Sequence, residues 1–404
     1  MTICPLSGIM KWEKSGPLQM QASAEHWAKT SAKRNKCGRK FMAGETTITE
    51  KSRIRYLDYL RVLAAFAVIL LHVSAQHWDS EGVRFRDRFL FAAYNSMAVW
   101  PVNMFVMLSG ALFLDPERKV DTRTLYSKYI LRIVTAFLFW SAVYALDKLL
   151  CGESRRDVLL AFLQGNFHLW YLPMAVAFYT LVPVVRKLTD SQKLTRYLLL
   201  LMLVWNFLLP DIAALLGVMN RHSIPLAGLF EQSLRYHLGT AHFPLSGVFL
   251  FYFVLGLYLH KNEVAVSKRV WIYALGIGSY LLRLLLCAYY LLVYGTADVP
   301  FSLNLSGLAI TASVFLFAKY ALPELRLLNG KKSRAVIRSL TQCSFGIYLV
   351  HMLVREKLAV WFGLTTLSFR PMLSVPLLSI LVMGISWAIV MALRRIPVIQ
   401  KYAL

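Results

Sequence analysis

Hydrophobic residues in this chain come in ten long runs separated by polar gaps. The runs cover approximately 56–75, 95–114, 129–149, 169–188, 197–216, 244–260, 270–293, 302–320, 341–361 and 373–393. Most are roughly 18–22 residues long, enough at about 1.5 Å per residue to cross a hydrocarbon core of about 30 Å. A water-soluble chain of this size shows shorter, amphipathic stretches instead. The pattern predicts an all-α, polytopic membrane protein with about ten transmembrane helices.

Composition sharpens this picture. Of 404 residues, 57% are hydrophobic and only 16% charged, where a soluble domain is usually near 25% charged. The net charge of +24 would suggest nucleic acid in a soluble protein. Here the Lys and Arg residues fall in the gaps between runs, so they mark topology and no nucleic-acid partner is expected. With the N-terminal tail placed inside, and basic residues near run ends counted with the adjoining loop, 32 of the 45 lie in inner segments and 11 in outer loops, while Arg61 and Arg283 lie deeper inside runs. That asymmetry predicts a multi-pass protein of the cell membrane with both termini cytoplasmic.

The expected organisation is a basic, disordered tail over 1–55, a membrane domain over 56–395 and a short cytoplasmic tail over 396–404. Met42 offers an alternative start within the tail. The first run ends in "VSAQ", which mimics a signal-peptidase site. It lies some 55 residues in and contains Arg61 and His72, which argues against cleavage. Cys4, Cys37, Cys151, Cys287 and Cys343 have no metal-like spacing, so neither a disulfide framework nor a metal site is expected. The longest outer loop, about 217–243, holds Arg221, His222, Arg235, His237 and His242 and is the best candidate for a re-entrant or surface segment.

Ionisable groups inside a bilayer are costly and therefore candidates for function. The first run, "LDYLRVLAAFAVILLH", carries Asp58, Arg61 and His72. Arg61 and His72 are 11 positions apart, within about 20° of three full turns, so they share a helix face roughly 16 Å apart. Asp58, one turn before Arg61, joins that polar stripe. An interfacial Arg61 that snorkels to the cytoplasm and pairs with Asp58 is the plainer alternative. Ser109 and Gly110 form a small pair in "VNMFVMLSGALFL", the usual mark of close helix packing. Lys128 and Arg132 open the third run and suit either the positive-inside bias or an anionic ligand. His168 opens the fourth run beside Trp170 and Tyr171, and His351 follows Tyr348 by one turn in "SFGIYLVH". The predicted orientation puts His72, His168 and His351 at similar depth near the outer side. Arg283 is a further intramembrane charge that needs a partner.

Taken in order, these segments resemble the acyltransferase family 3 membrane proteins. Arg61 and His72 reproduce a basic-residue, ten-spacer, histidine signature. "LDYLR", "VMLSG", "HLWYL", "FVLGLYL" and "SFGIYLVH" are similar to the family's blocks, over about residues 55–355. "HLWYL" and "SFGIYLVH" look most like the branch of envelope polysaccharide O-acetyl and O-succinyl transferases. The family commonly has two arginines three apart at the start of the third helix. Here Arg132 matches the second, Tyr129 holds the first, and Lys128 lies one residue earlier.

The resemblance implies an O-acyltransferase that uses cytosolic acyl-CoA, in particular acetyl-CoA, as donor substrate, with no bound cofactor. The implied acceptor is a hydroxyl of an envelope polysaccharide or lipid-linked glycan. In that scheme Arg61, Lys128 and Arg132 neutralise the CoA end, and His72 serves as general base or carries the acyl group. Tyr348 and His351 orient the acceptor, with Asp58, Ser109 and His168 in support. The rival reading is a transporter or flippase for a polar solute or lipid-linked glycan, whose pathway the same buried charges would line.

Overall fold

The computed structural model describes residues 55–404, except positions 79, 81, 119, 223, 225, 241–246 and 297–302 and the Leu327 side chain. The basic tail, with Cys4, Cys37 and Met42, and His242 of the long loop lie outside the described residues. Helices make up the described fold, and among the described residues there is no strand. In chain order they are α1 (Arg55–Ser74), α2 (Phe85–Met97), α3 (Pro101–Phe113), α4 (Thr122–Leu150), α5 (Arg155–Gln164), α6 (Tyr171–Thr189) and α7 (Gln192–Arg221). After these come α8 (Ala227–Thr240), α9 (Val248–Lys261), α10 (Val266–Tyr294), α11 (Asn304–Tyr320), α12 (Lys331–Phe362), α13 (Pro371–Leu393) and α14 (Pro397–Tyr402).

Each of the ten apolar runs is mostly helical over its described residues. Among the described residues, eight spans are long and apolar enough to cross a membrane. α9, with 14 residues, is apolar but shorter. α12 has 32 residues and begins ten residues before its apolar run, because Lys331, Lys332, Arg334 and Arg338 continue the helix beyond the apolar part. A hydropathy pattern marks where lipid ends, not where a helix does.

The second run differs from its expected bounds. The chain forms two helices, α2 and α3, with the break at Ala98–Trp100. Pro101 at the first turn of α3 supplies the reason. Proline cannot donate to the preceding turn and disfavours helical backbone before it, but suits a helix start. The long loop after α7 folds back as α8, whose Gly228 and Glu231 lie against Asn220 and Gly217 of α7.

Helix ends meet at two levels. At one end, Tyr56 of α1 bonds His260 of α9. There Arg186 of α6 donates to the carbonyls of Phe113, Val120 and Arg118 after α3, and Lys319 of α11 donates to the Asn262 carbonyl. At the other, His77 bonds Thr366, Tyr94 donates to the Met372 carbonyl, and the Asp211 carboxylate caps α11 through the Asn304 and Leu305 amides. This alternation is an up–down bundle.

α1 is its centre. In its most apolar stretch 61% of residues are buried, against 11% for α10. Val68, Ile69 and Leu70 of α1 share a core with Trp140 and Tyr144 of α4, Leu172 of α6, Ile347 and Leu349 of α12, and Val382 of α13. α10 exposes Trp271, Leu275, Ile277, Leu285 and Leu292, a surface that suits lipid and not water. Arg283 on α10 finds its partners on α11: Nε donates to Ser306 Oγ (2.6 Å) and Nη2 to the Leu303 carbonyl (3.1 Å).

Asp115, after α3, is 5% exposed. Lys261 Nζ lies 2.7 Å from its Oδ1 and 2.7 Å from Glu117 Oε1. Burial pushes the Asp115 carboxyl up, but Lys261 and the Glu117 amide outweigh it and hold the group below its ordinary range. A carboxyl depressed on folding contributes stability above its unfolded pKa, and that contribution is lost as pH falls. Lys261→Met is therefore expected to destabilise the protein by about 1–2 kcal/mol at neutral pH, a buried-pair loss discounted for the partial exposure of Lys261. Unfolding midpoints in detergent should show the gap to wild type closing as pH falls through about 4.

Candidate active site

α1 delivers both of its signature residues to the bundle interior, one to each of two adjoining features. The first is a cavity of about 440 Å³ whose wall carries Arg61, Arg118 and Arg132 and, among the described residues, no carboxylate. Ser109, Tyr129, Tyr171, Tyr179 and Tyr348 also line it. Ser109 Oγ lies 3.3 Å from Tyr179 Oη, while its neighbour Gly110 does the close packing. Arg132 stacks over Phe345, 5.7 Å from the ring centre, and donates to the Leu404 carbonyl. Trp140 donates to the Ala403 carbonyl at 2.9 Å, so the C-terminal residues pack onto α4. Arg186 fixes the loop that carries Arg118 through its three carbonyl bonds.

Neither Asp58 nor Lys128 lines this cavity. Lys128 is exposed. It lies in a π-helical stretch, Leu125–Ile130, that widens the first turns of α4, and π turns recur at functional sites. That geometry puts Tyr129, not Lys128, on the wall with Arg132. Asp58 meets α12 instead, its carbonyl accepting from Thr341 Oγ1 at 3.4 Å.

The second feature is a cluster of three histidines from α1, the turn before α6, and α12. The His72 and His351 rings stack with centres 5.3 Å apart. His168 lies 5.2 Å from His351 and 6.4 Å from His72. His168 and His351 are each 1% exposed. His351 Nδ1 donates to the Tyr348 carbonyl at 2.7 Å, since a carbonyl only accepts. Its Nε2 is buried without a hydrogen-bond partner, as is Nε2 of His168. An unpaired buried polar atom costs about 1–3 kcal/mol, and such atoms in native structures ask for a catalytic role, a water or an ion. Among the described residues no group of His, Cys, Asp or Glu is placed to hold a metal.

Tyr348 joins the two features. It lines the cavity, packs on Tyr171 with ring centres 5.8 Å apart, and donates to the His168 carbonyl. Two residues not singled out in the sequence hold the cluster in place. Tyr144 Oη donates to the Leu349 carbonyl (2.9 Å) and accepts from the Leu353 amide (3.3 Å), two groups that an unbroken helix pairs with each other. Arg355 Nη1 donates to the His72 carbonyl at 2.9 Å, securing the last turn of α1. The spacing of Arg355, four residues after His351 and so on its face of α12, was the available signal.

The apolar helical bundle, with a cationic cavity beside buried histidines, defines the class as a polytopic all-α membrane protein. The acyltransferase domain family matches residues 54–391, and the chain belongs to that family, acyltransferase family 3. No curated protein and no solved structure matches the chain. The protein is thus a multi-pass membrane acyltransferase, with an acyl donor and an acyl acceptor as its substrates.

Proposed function

We propose that this acyltransferase moves an acetyl group from cytosolic acetyl-CoA to a hydroxyl of an envelope polysaccharide or lipid-linked glycan on the outer side of the cell membrane. What supports this reading is the cationic, acid-free cavity that runs, through Tyr348, onto three clustered histidines. The positive-inside bias puts the end bearing Arg118 in the cytoplasm and the histidines toward the outside.

Arg61, Arg118 and Arg132 neutralise donor phosphates, whose charge-assisted bonds to guanidinium are strong and directional. The thioester lies at the tyrosine-lined inner end. His72, the more accessible member of the stacked pair, takes the proton of the acceptor hydroxyl as its oxygen attacks the thioester carbonyl. A carbon–oxygen bond forms, the carbon–sulfur bond breaks, and the proton passes to the departing thiolate, leaving an ester and free CoA. His351 and His168 hold His72 in place, with Tyr348 at the junction; Asp58 supports α1 against α12. At the start of α4, Arg132 on the cavity wall acts on the donor, and the exposed Lys128 does not.

The test is transfer of label from radiolabelled acetyl-CoA into the envelope glycan fraction by membranes containing the protein. Arg61→Ala and Arg132→Ala are each expected to raise the donor KM by about tenfold or more, since a hydrogen bond to a charged group is worth about 1.5–3 kcal/mol. Lys128→Ala should leave it unchanged. No transfer from any acyl-CoA, together with translocation of unmodified glycan, would replace this reading with that of a flippase.

A further inference from the structure

A second pocket, of about 630 Å³, lies on the other side of the histidine cluster. It shares two walls with the cluster: Tyr144, whose ring centre is 5.3 Å from that of His168, and Phe167, 5.4 Å from His72. Its chemistry is the reverse of the donor cavity. Asp147, Glu153, Asp157 and Glu356 line it, against Lys148 and Lys357 among the described residues of the wall and Arg355, whose Nη2 lies 3.6 Å from Glu356 Oε1. These groups are already arranged as pairs. Asp147 bonds Lys357, Glu153 lies 3.0 Å from Lys148, and Asp157 accepts from Ser154 Oγ at 2.5 Å. Gln164 and Asn166 add amides, and Asn166 Oδ1 lies 3.3 Å from His168 Nδ1. Phe167 presents an exposed ring.

We propose that this pocket binds the acceptor and that it selects a sugar without anionic groups; this rests on the acyl-transfer reading given above. A phosphate or uronate would meet an excess of carboxylate, and CoA would be repelled for the same reason. A neutral sugar finds carboxylates and amides to accept from its hydroxyls, lysines to donate to its oxygens, and an aromatic face for its C–H surface. The His168 ring packs against Tyr144 and the His72 ring against Phe167, so a hydroxyl held in this pocket lies one ring's thickness from the histidines, while the thioester arrives from the other side. A chain of charge +24 places its excess carboxylate where a polyanionic acceptor would have to enter.

Cys151 gives a direct probe, because it is exposed and lines the pocket, while Cys287 and Cys343 are buried. In the full-length protein carrying Cys4→Ser and Cys37→Ser, a membrane-impermeant maleimide should label Cys151. Lactose and diacetylchitobiose should slow that labelling, and digalacturonate should not. Equal protection by digalacturonate, or none by either neutral disaccharide, would overturn the proposal. In the transfer assay, Glu356→Gln and Asp157→Asn should raise the acceptor KM severalfold and leave the donor KM unchanged. A rise in the donor KM instead, or no change in either, would also overturn it. If no acyl-CoA supports transfer while neutral sugars still protect Cys151, the acyl-transfer reading falls and the pocket's ligand class stands.

Discussion

Membranes carrying His72→Ala are expected to transfer acyl groups about 10²–10⁴-fold more slowly than wild type, the range a positioned general base contributes. The substitution removes the imidazole and little else. The bond that secures the last turn of α1 runs from Arg355 to the His72 backbone carbonyl and survives loss of the side chain. His351 keeps its own bond to the Tyr348 carbonyl. Equal amounts of folded protein with unaltered donor KM and collapsed kcat would place His72 at the reacting atoms. Near-normal transfer would remove it from that role and move the base to His351, whose unpartnered Nε2 is the next candidate. Acyl-labelled protein trapped without acceptor would indicate a covalent acyl-histidine route.

Gly256→Leu is expected to cost the fold about 3 kcal/mol or more, at the top of the range for overpacking. Helices α3 and α9 approach so closely that a Cβ on Gly256 would collide with the Met107 backbone, and one on Gly110 with the Phe253 backbone. Two small residues on facing helices allow this contact, and in a bilayer such packing replaces the hydrophobic drive that lipid cannot supply. The obstacles are carbonyl groups, not side-chain tips, so the helices themselves must separate. The ledge between Met107 and Ser109 forms part of the cavity wall, so any surviving protein should also bind donor poorly. Thermal unfolding in detergent checks the loss. A midpoint equal to wild type would mean that α9 can slide along α3 without penalty.

Periodicity made some of this site legible and left the rest hidden. Arg61 and His72 could be aligned because a helix imposes 100° per residue, and both do face the interior, one on each feature. The shared depth of His72, His168 and His351 followed from topology. Their contact did not, because it depends on how α1, α6 and α12 pack. Lys128 and Tyr129 could not be told apart by sequence, since the π stretch that decides which faces the cavity carries no hydropathy signal. Arg118 and Arg355 read as ordinary loop cations in a charge count, yet one lines the cavity and the other secures α1. Tyr144 was one aromatic among many on a membrane helix, and only its bonds to the Leu349 carbonyl and the Leu353 amide set it apart.

On the donor reading, tyrosines rather than arginines meet the acyl chain. Tyr171 and Tyr348, their ring centres 5.8 Å apart, line the cavity beside the histidines, so the length of acyl chain admitted is set by ring volume, separately from the grip on the phosphates. The two traits can therefore drift apart during descent. A lineage could move from a two-carbon to a longer acyl group by trimming an aromatic residue while keeping every cation, and its affinity for the nucleotide end would record none of the change.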